Sequence, residues 1–477
     1  MTANAIGVSN QPVLRDDRAF FGHPRGLAYL SFTELWERFS YYGMAALLAL
    51  YMTKQLLLPG HAEHVVGLAQ LRGLFEFRGA MSNVAFASLI FGWYSGLVYF
   101  TPLFGGLIAD RWLGAKRTVT VGAVLMAAGH LAMSIDQSFL LALLLLVLGS
   151  GCLKGNVTTQ VGSLYPQGAE SLRQRGYSIF STGINIGAVI GPLATSTLAA
   201  IYGWHAGFAL AAVLMLLALA VYLAGQRHLP DPMQARTQLA ELPPLSASER
   251  RRLLALLATI ALVVPTSIGF FMIGGIGMIW IDQYVNLASP LGAVPAGWFN
   301  SLDSFISILS APVLIALWTW QARSRREPAG ITKMAIGGGI IGLSSLLLAA
   351  GSYLSPAPGS VPVLWAVAGF GAMGMGFMWY WPVLLALVSG SAPRKVNSTM
   401  MGAVFLALFA SAVAGGWVGS FYDQMSPAAF WTLNGAIAGA GAVLTLLLGP
   451  ALQRALAATE PAAIAVSGAD YLETAPC

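Results

Sequence analysis

The sequence predicts an all-α integral membrane protein with about twelve membrane-spanning helices. Hydrophobic residues make up 57% of the 477 residues and charged residues only 9%, whereas soluble domains contain about 25% charged residues. Apolar runs of about 20 residues, long enough to cross a bilayer as a helix, recur along the whole chain. These runs are too long and too uniformly apolar for the alternating strands of a membrane β-barrel.

Twelve apolar runs are expected to form the spans in chain order. They fall at about residues 27–53, 82–108, 118–135, 138–160, 177–200, 205–225, 253–283, 297–320, 331–354, 362–388, 398–421 and 427–450. One extended polar stretch, rich in Pro, Gln, Glu and Arg, separates six spans from six. We therefore predict five segments: a cytoplasmic N-terminal tail (1–26), an N-terminal six-helix bundle (27–225), a cytoplasmic linker (226–252), a C-terminal six-helix bundle (253–450) and a cytoplasmic C-terminal tail (451–477).

Lysine and arginine are distributed unequally between the two sides of this arrangement. With the N-terminus inside, the outer segments hold only Lys54, Arg72 and Arg78. Because basic loops stay in the cytoplasm, we expect both termini to be cytoplasmic in a multi-pass protein of the cell inner (plasma) membrane. The net charge of +6 is then a topology signal, which argues against a nucleic-acid partner.

The first span contains an unusual concentration of polar groups. At helical spacing the side chains of Glu34, Glu37, Arg38, Tyr41 and Tyr42 can share one broad face. A charge at the centre of a bilayer costs roughly 2.5 to 3.5 kcal/mol on insertion scales. Three charges on one helix therefore predict a water-accessible pathway with coupled ion pairs.

A further cation, Lys154, lies late in the fourth span among small residues. Its side chain could extend to the membrane interface, or it could be buried beside another helix or a cavity, which the small neighbours favour. Together with Arg38 it gives two positive charges facing Glu34 and Glu37. A substrate carboxylate that takes over one cation would release a glutamate to bind a proton.

Other polar residues near the span ends have less certain roles. Asp303 enters the eighth span, where it could be an N-terminal cap or interfacial carboxylate or a site residue. Asp282 is expected at a solvated helix end or an external gate. His130 and His205 are isolated in the sequence, so packing or interface roles are favoured over a proton relay.

The stretch between the second and third spans is predicted to form a conformational latch. Gly105 and Gly106 would allow a tight inner turn, and Asp110, followed by Arg111, can meet nearby cations or a helix N-terminus. Beyond this stretch, the sequence contains no nucleophile–base set, metal-ligand cluster or phosphate loop. We therefore expect no enzyme activity, no metal and no cofactor other than protons as the coupling ion.

Several motifs together resemble one known family. Glu34-x-x-Glu37-Arg38-Phe39-x-Tyr41-Tyr42-Gly43 is similar to the ExxERFxYYG signature of the proton-coupled oligopeptide transporter (POT/PTR, peptide transporter) family of the major facilitator superfamily. Residues 99–110 resemble its second-span segment. Leu153–Val157 resembles its LKPN stretch, and Phe180–Gly187 resembles its FYxxINxG signature.

This resemblance implies the major facilitator fold, with two six-helix halves that alternate between inward- and outward-open states. It also implies that inward proton flow drives the uptake of di- and tripeptides, by a protein functional as a monomer in the lipid bilayer. Proton coupling would fall to Glu34, Glu37 and Arg38. The peptide site would comprise Arg38 and Lys154 for the carboxylate, Tyr41 and Tyr42 as lining, Asn185 at the amino end, and Tyr94 and Tyr99 as pocket tyrosines.

The chain also departs from the family pattern. Gly92 aligns with the second-span histidine of animal members, and Phe377 replaces a tenth-span glutamate that usually meets the peptide ammonium. We hypothesise that Asp303 on a neighbouring helix replaces that carboxylate. The aromatic residues Phe377, Trp379, Tyr380 and Trp381 could instead narrow the pocket, shift substrate preference or simply pack between helices.

The leading functional interpretation is therefore a proton-coupled peptide symporter. One alternative keeps the fold but changes the cargo to amino acids, modified peptides, nitrate or another small anion. The other alternative, from a different functional class, is a non-transporting sensor. Retention of the charged Glu34–Arg38 unit argues against the sensor.

Overall fold

The computed structural model describes residues 19–166, 169–230, 245–290 and 292–457. Most of the predicted N-terminal tail, linker and C-terminal tail therefore lies outside the described residues. The N-terminal half contains α1 (Arg25–Tyr51), α2 (Leu68–Phe75), α3 (Asn83–Phe100), α4 (Pro102–Ile108), α5 (Gly114–Ala132), α6 (Phe139–Ser163), α7 (Glu170–Tyr202) and α8 (Trp204–Gly225).

The C-terminal half repeats the helical pattern and adds a short hairpin. Its helices are α9 (Ala247–Phe271), α10 (Met278–Tyr284), α11 (Leu302–Arg323), α12 (Gly330–Leu354), α13 (Val363–Ser391), α14 (Asn397–Gly419) and α15 (Pro427–Ala457). The antiparallel strands β1 (Ala288–Ser289) and β2 (Gly292–Ala293) lie between α10 and α11. Single π-helical turns follow α1, α4 and α9, at Met52–Leu56, Ala109–Leu113 and Ile273–Gly277.

The predicted all-α membrane fold is confirmed. Ten helical stretches in the described residues are long and apolar enough to cross a membrane, and one of them, Asn83–Ala132, contains two predicted spans. The helix α1 is not among the ten, in keeping with the charges of Glu34, Glu37 and Arg38 in its middle. With α1 included, every one of the twelve predicted spans corresponds to a helix or to consecutive helices.

Two helices extend beyond the predicted boundaries of the C-terminal bundle. Helix α9 begins at Ala247 rather than at 253, because Ser246 and Glu249 form a capping box: Ser246 Oγ accepts from the Glu249 amide, and the Glu249 carboxylate accepts from the Ser246 amide at 2.8 Å. At the other end, α15 continues to Ala457, beyond the predicted boundary at 450, and Arg454 Nε donates to the Pro450 carbonyl. Good helix formers extend both helices past the apolar run.

The predicted glycine turn was also wrong. Gly105 and Gly106 lie inside α4, and the chain turns instead at Gly114, whose φ of +74° favours glycine. Gly105 serves close packing, because a Cβ there would lie 2.0 Å from the Gly151 carbonyl oxygen of α6. The second span is interrupted at Pro102, about one turn before Gly105, where α4 begins.

The two halves meet along α3 and α14 and along α7 and the start of α11. We call the end of the bundle with Arg25, Arg111 and Arg323 the basic face, and the other end the opposite face. Between α3 and α14, a Cβ on Gly92 would lie 2.6 Å from Gly416 Cα. This backbone contact leaves no room for a side chain at Gly92.

Hydrogen bonds and an ion pair tie the halves together at the opposite face. Lys54 Nζ lies 2.5 Å from Asp282 Oδ1, and Ser82 Oγ donates to Asp423 Oδ2 at 2.5 Å. Deeper in the bundle, Ser301 Oγ donates to the Val189 carbonyl at 2.7 Å. Trp298 Nε1 adds bonds to Leu193 and Thr197 of α7. The halves are therefore closed on this side.

Candidate functional site

The position of α1 is fixed by direct contact with the backbone of α7. A Cβ on Gly187 would lie 2.4 Å from the Leu35 carbonyl oxygen, and one on Gly191 would lie 2.5 Å from that of Phe39. Glycine at both positions lets the two helices pack without intervening side chains. The face of α1 that carries the charged residues is consequently held in one orientation.

The start of α1 is anchored at the basic face by a buried hydrogen bond. His23 Nδ1 and the Tyr165 hydroxyl are 2.8 Å apart. Burial, helped by the nearby Arg175 guanidinium, lowers the pKa of His23, and burial raises the pKa of Tyr165 to about 12. A neutral imidazole can therefore accept from a protonated hydroxyl at neutral pH.

Arg38 is shared by two carboxylates inside the bundle. Its Nε atom lies 3.0 Å from Glu34 Oε1 and 2.5 Å from Glu37 Oε2. The exposed fractions of Glu34, Glu37 and Arg38 are only 4%, 0% and 6%. The predicted proximity of these three groups is confirmed, whereas their role in proton coupling remains a prediction.

This ion cluster has unused hydrogen-bonding capacity. Both Glu37 carboxylate oxygens, Arg38 Nε and Nη2, and the Tyr94 hydroxyl are buried and lack a hydrogen-bond partner within the described residues. The ion-pair distances are short, but the groups are not aligned for hydrogen bonding. Buried polar atoms of this kind are normally satisfied in native proteins, so the cluster can accept protons, water or substrate groups.

Lys154 lies beside this cluster and is held by aromatic rings. Its Nζ atom is 4.5 Å from the centre of the Tyr41 ring and 5.4 Å from that of Tyr99. Among the described residues no carboxylate lies within the 4.0 Å of an ion pair, although Glu34 and Glu37 are within electrostatic range. The ammonium therefore points into the site rather than extending to the interface, and it is available to an anionic ligand.

The tyrosines join the two cations into one site. Arg38 Cζ lies 5.6 Å from the centre of the same Tyr41 ring that contacts Lys154, and Tyr41 packs edge-on against Tyr42 at 5.1 Å. Tyr94 is buried within electrostatic range of Glu37. Tyr99 reaches across to the other half, where its ring meets Phe271 of α9 at 5.7 Å.

Asn185 and Asp303 lie on α7 and α11, two helices that meet at the interface of the halves. The bond between Val189 and Ser301 joins α7 to the start of α11. Asn185 lies one turn before Val189 and Asp303 lies two residues after Ser301, so both are on the basic-face side of this bond. Asp303 is also within electrostatic range of Tyr42 and Tyr99. Their roles in substrate binding stay predictions.

The backbone of Asp303 packs directly against α13. A Cβ on Gly374 would lie 2.4 Å from the Asp303 carbonyl oxygen, so the backbones of α11 and α13 touch there. Ser304 Oγ lies 3.4 Å from Asp303 Oδ1, which makes this a weak hydrogen bond. Asp303 is in the first turn of α11, where a carboxylate is favoured by the helix dipole.

The predicted latch residues lie in and after α4. Asp110 and Arg111 belong to the exposed π-helical turn Ala109–Leu113 at the basic face. Asn156 Nδ2 donates to the Gly105 carbonyl at 3.2 Å, which links α6, the helix of Lys154, to α4. Gly106 has open space around its Cα. Whether this segment acts as a latch remains a prediction.

Sequence reasoning missed two polar assemblies at the opposite face. Asp282 was expected at a solvated end or gate, but its partner Lys54 was not identified. His205 was expected in a packing or interface role, but its partner was not identified: its Nε2 lies 2.8 Å from Asp136 Oδ1. Tyr51 and His61 also bind Asp136, at 2.5 and 2.9 Å. Only their common placement in outer segments could have suggested these contacts.

No metal centre is found in the part of the chain that the structure describes, where no three His, Cys, Asp or Glu side chains converge suitably. His130 is fully buried, and neither ring nitrogen has a hydrogen-bond partner among the described residues. This environment fits the packing role predicted for it. The charged groups of the candidate site are therefore Arg38, Lys154, Glu34 and Glu37.

Comparisons with known proteins agree with this architecture and site. The POT family model matches residues 116–242 and 245–432. A di-/tripeptide transporter of Lactococcus lactis subsp. lactis (strain IL1403) is 30% identical, over 90% of this chain and 95% of that protein. The peptide transporter YePEPT of Yersinia enterocolitica subsp. palearctica serotype O:3 (strain YE-P4) is 29% identical, over 91% and 95%.

A solved structure gives the same result for the fold. The crystal structure of a peptide transporter POT in complex with sulfate is similar with a TM-score of 0.79 and 27% identity, over 92% of this chain and 97% of that chain. Because it covers 92% of this chain, the similarity extends over both six-helix halves. The chain therefore belongs to the POT family.

Proposed function

We propose that this chain is a proton-coupled symporter that imports di- and tripeptides by alternating access of its two halves. Similar proteins are named di-/tripeptide transporter and peptide transporter. The observation that carries the proposal is the buried site of Arg38, Glu34, Glu37 and Lys154. It offers two cations for a peptide carboxylate and two carboxylates for a proton.

The coupling step follows from competition for Arg38. While Glu34 and Glu37 are ionised, both hold the guanidinium. A proton on this pair weakens that hold, so Arg38 becomes available to the peptide carboxylate, with Lys154 as the second cation. Because the two glutamates share one partner at close range, a change at either one affects the contact that the other makes with Arg38. With both glutamates ionised, the two cations and two carboxylates carry no net charge. A proton alone or a peptide carboxylate alone would leave a net charge of one, and both together restore neutrality, which links their binding.

The driving force is sufficient for accumulation. An imported proton releases about 2.3 kcal/mol per 100 mV of membrane potential and about 1.4 kcal/mol per pH unit. The contacts between Lys54 and Asp282 and between Ser82 and Asp423 close the opposite face. Transport requires a second state in which these contacts break and the basic face closes instead.

Asp303 is proposed to bind the peptide ammonium. The carboxylates Asp282 and Asp423 of the C-terminal half lie at the opposite face and have partners there. Asp303 lies deeper, near Tyr42 and Tyr99, and faces a site whose cations come from the other half. A zwitterionic peptide would thus lie with its carboxylate toward Arg38 and Lys154 and its ammonium toward Asp303.

The remaining aspects of the proposal follow from topology. The excess of Lys and Arg at the basic face supports a plasma-membrane protein with both termini in the cytoplasm. The protein acts on peptides by moving them rather than by chemical conversion, and one chain contains the complete site. Its partners are therefore the peptide, protons and the lipid bilayer.

Uptake by reconstituted protein tests this function. Proteoliposomes are given labelled dialanine with an inside-negative potential, and a protonophore is added to a parallel sample. We expect accumulation that the protonophore abolishes, and normal accumulation in the control variant Arg117→Gln, which removes an exposed charge outside the site. Uptake of only amino acids or inorganic anions would reassign the cargo, and absence of any transport would support a sensor.

A further inference from the structure

Three aromatic rings form a nearly parallel stack on the C-terminal half. Phe270 of α9 stacks on Phe377 of α13, with ring centres 4.5 Å apart and planes 18° apart. Trp381, one turn further along α13, stacks on Phe377 at 5.8 Å and 21°. All three side chains are only half-buried. We call Phe270, Phe377 and Trp381 the ring stack.

The ring stack is continuous with the charged site. Phe271, next to Phe270, meets the ring of Tyr99, and Tyr99 also contacts the Lys154 ammonium. Tyr380 packs edge-on against Phe377 at 5.5 Å and is held by Ser267, whose hydroxyl is 3.0 Å from its own. The rings therefore extend from the cation Lys154 into the C-terminal half.

The ring stack reaches the charged site through Phe271 and Tyr99, and its ring faces are apolar. The family resemblance aligns Phe377 with a glutamate, and the hydroxyl of Tyr380 is already bonded to Ser267. A carboxylate against these rings would lose hydration without gaining a partner, and a cation would gain only contact with the ring faces. An aromatic or large aliphatic group loses little by leaving water and gains ring contacts.

We propose that the ring stack is a subsite for an aromatic or large apolar side chain of the peptide. This inference rests on the proposed function, because the peptide carboxylate must first be placed on Arg38 and Lys154. The side chain of the substrate then lies against Phe377 and Trp381, while Asp303 meets the ammonium. The loss of the tenth-span glutamate thus exchanges a charged contact for an apolar one and sets the preference among peptides.

The same ring contacts would be seen if the three rings only packed the helices together. A control variant must therefore distinguish a packing role from a role in peptide binding. Trp318 of α11 and Trp379 of α13 form a second aromatic pair, with ring centres 5.6 Å apart and planes 84° apart. This pair packs on a different side of α13 from the ring stack. Trp318→Leu therefore removes a comparable ring contact without touching the proposed subsite.

The experiment compares two peptides on the purified full-length protein. Dissociation constants for dialanine and for alanyl-phenylalanine are measured by thermal stabilisation in the wild type, Phe377→Leu, Trp381→Leu and Trp318→Leu. We expect the wild type to bind alanyl-phenylalanine more tightly. Each ring-stack variant should lower that preference roughly three- to tenfold, the size of one or two ring contacts, while Trp318→Leu should keep it.

Each outcome decides between the two proposals. Equal wild-type affinity for both peptides, or an equal loss of preference in Trp318→Leu, would overturn the subsite but leave peptide transport standing. Equal weakening of both peptides in Phe377→Leu and Trp381→Leu would likewise assign the rings to packing. Failure of the wild type to bind either peptide would remove the proposed function, and the subsite with it.

Discussion

The two halves of the bundle have the same number of spans but contrasting interiors. The N-terminal half buries Glu34, Glu37 and Arg38 on one unbroken helix, with Lys154 on a second. The C-terminal half presents stacked rings and, among its described residues, one deep carboxylate, Asp303. Charges that exchange partners can respond to protons, whereas rings respond to shape and apolarity. In the proposed mechanism, coupling therefore falls to the N-terminal half and selection to the C-terminal half.

The two halves also differ in the continuity of their helices. In the N-terminal half, α1 lies against α7 through glycine contacts and runs without interruption past the charged residues. In the C-terminal half, the seventh span is broken at Ile273–Gly277, where Gly275 has φ −99° and ψ −107°. Broken helices are typical of elements that move around a central site. The unbroken charged helix α1 thus faces a half whose seventh span is interrupted.

The strongest test of this division is to remove both cations of the N-terminal half. In the double variant Arg38→Gln, Lys154→Gln, we expect dialanine accumulation to fall by roughly 100-fold or more, because two charge-assisted contacts to the carboxylate are lost. Uptake into proteoliposomes against a gradient measures the effect. Arg117→Gln, which removes one exposed charge outside the site, serves as the control. Normal accumulation by the double variant would show that the charged cluster is not where coupling occurs.

The second test neutralises the acid that is most buried. Glu37 is 0% exposed and lies 2.5 Å from Arg38 Nε. The glutamine in Glu37→Gln is permanently neutral, so it cannot take up or release a proton. We therefore expect the variant to lose peptide accumulation driven by a membrane potential. Exchange of labelled for unlabelled peptide, which needs no net proton movement, should continue. The measurement compares these two modes in the same proteoliposomes. Loss of both modes, with loss of peptide binding, would make Glu37 a binding residue instead.

The third test moves to the C-terminal half and concerns Asp303. If this carboxylate meets the peptide ammonium, Asp303→Asn should weaken dialanine roughly tenfold, the size of one charge-assisted hydrogen bond. N-acetyl-dialanine, which has no ammonium, should bind the variant and the wild type equally. Thermal stabilisation by both compounds provides the comparison. Full uptake with an unchanged pH dependence in Asp303→Ala would rule this role out.

Local features of the sequence predicted the charged half well. The four-residue spacing of Glu34 and Arg38 on a helix is sufficient to place them in contact, because helix geometry is nearly invariant. The start of α9 at Ala247 was also encoded locally, since Ser246 and Glu249 have the spacing of a capping box. That signal was overlooked because the adjoining stretch was assigned to the linker on its polarity alone.

Contacts between distant segments could not be predicted in the same way. Lys54 and Asp282 are 228 residues apart, and Phe270 lies in a uniformly apolar run that gives no hint of its stacking on Phe377. Packing partners of this kind depend on the relative rotation of whole helices. Gly105 illustrates the limit: its sequence neighbours suggested a turn, but its role comes from Gly151 on another helix.

The smallest expected effect concerns the contact that joins the halves. The side chains of Lys54 and Asp282 are 48% and 21% exposed, and exposed ion pairs contribute only about 0 to 1 kcal/mol. We expect Lys54→Gln to shift the population toward the state open at the opposite face by no more than about fivefold. The charge-reversed pair Lys54→Asp, Asp282→Lys should restore the wild-type population.

Distances between spin labels can detect so small a shift. Labels attached at Glu63→Cys and Asn286→Cys, which are exposed on opposite halves at this face, would separate when the face opens, after Cys152 and Cys477 are replaced by serine. A shift in Lys54→Gln that the reversed pair cancels would identify the ion pair as a gate between the halves. An equal shift in both variants would assign the effect to side-chain packing, since only the electrostatic contribution survives exchange of the two charges.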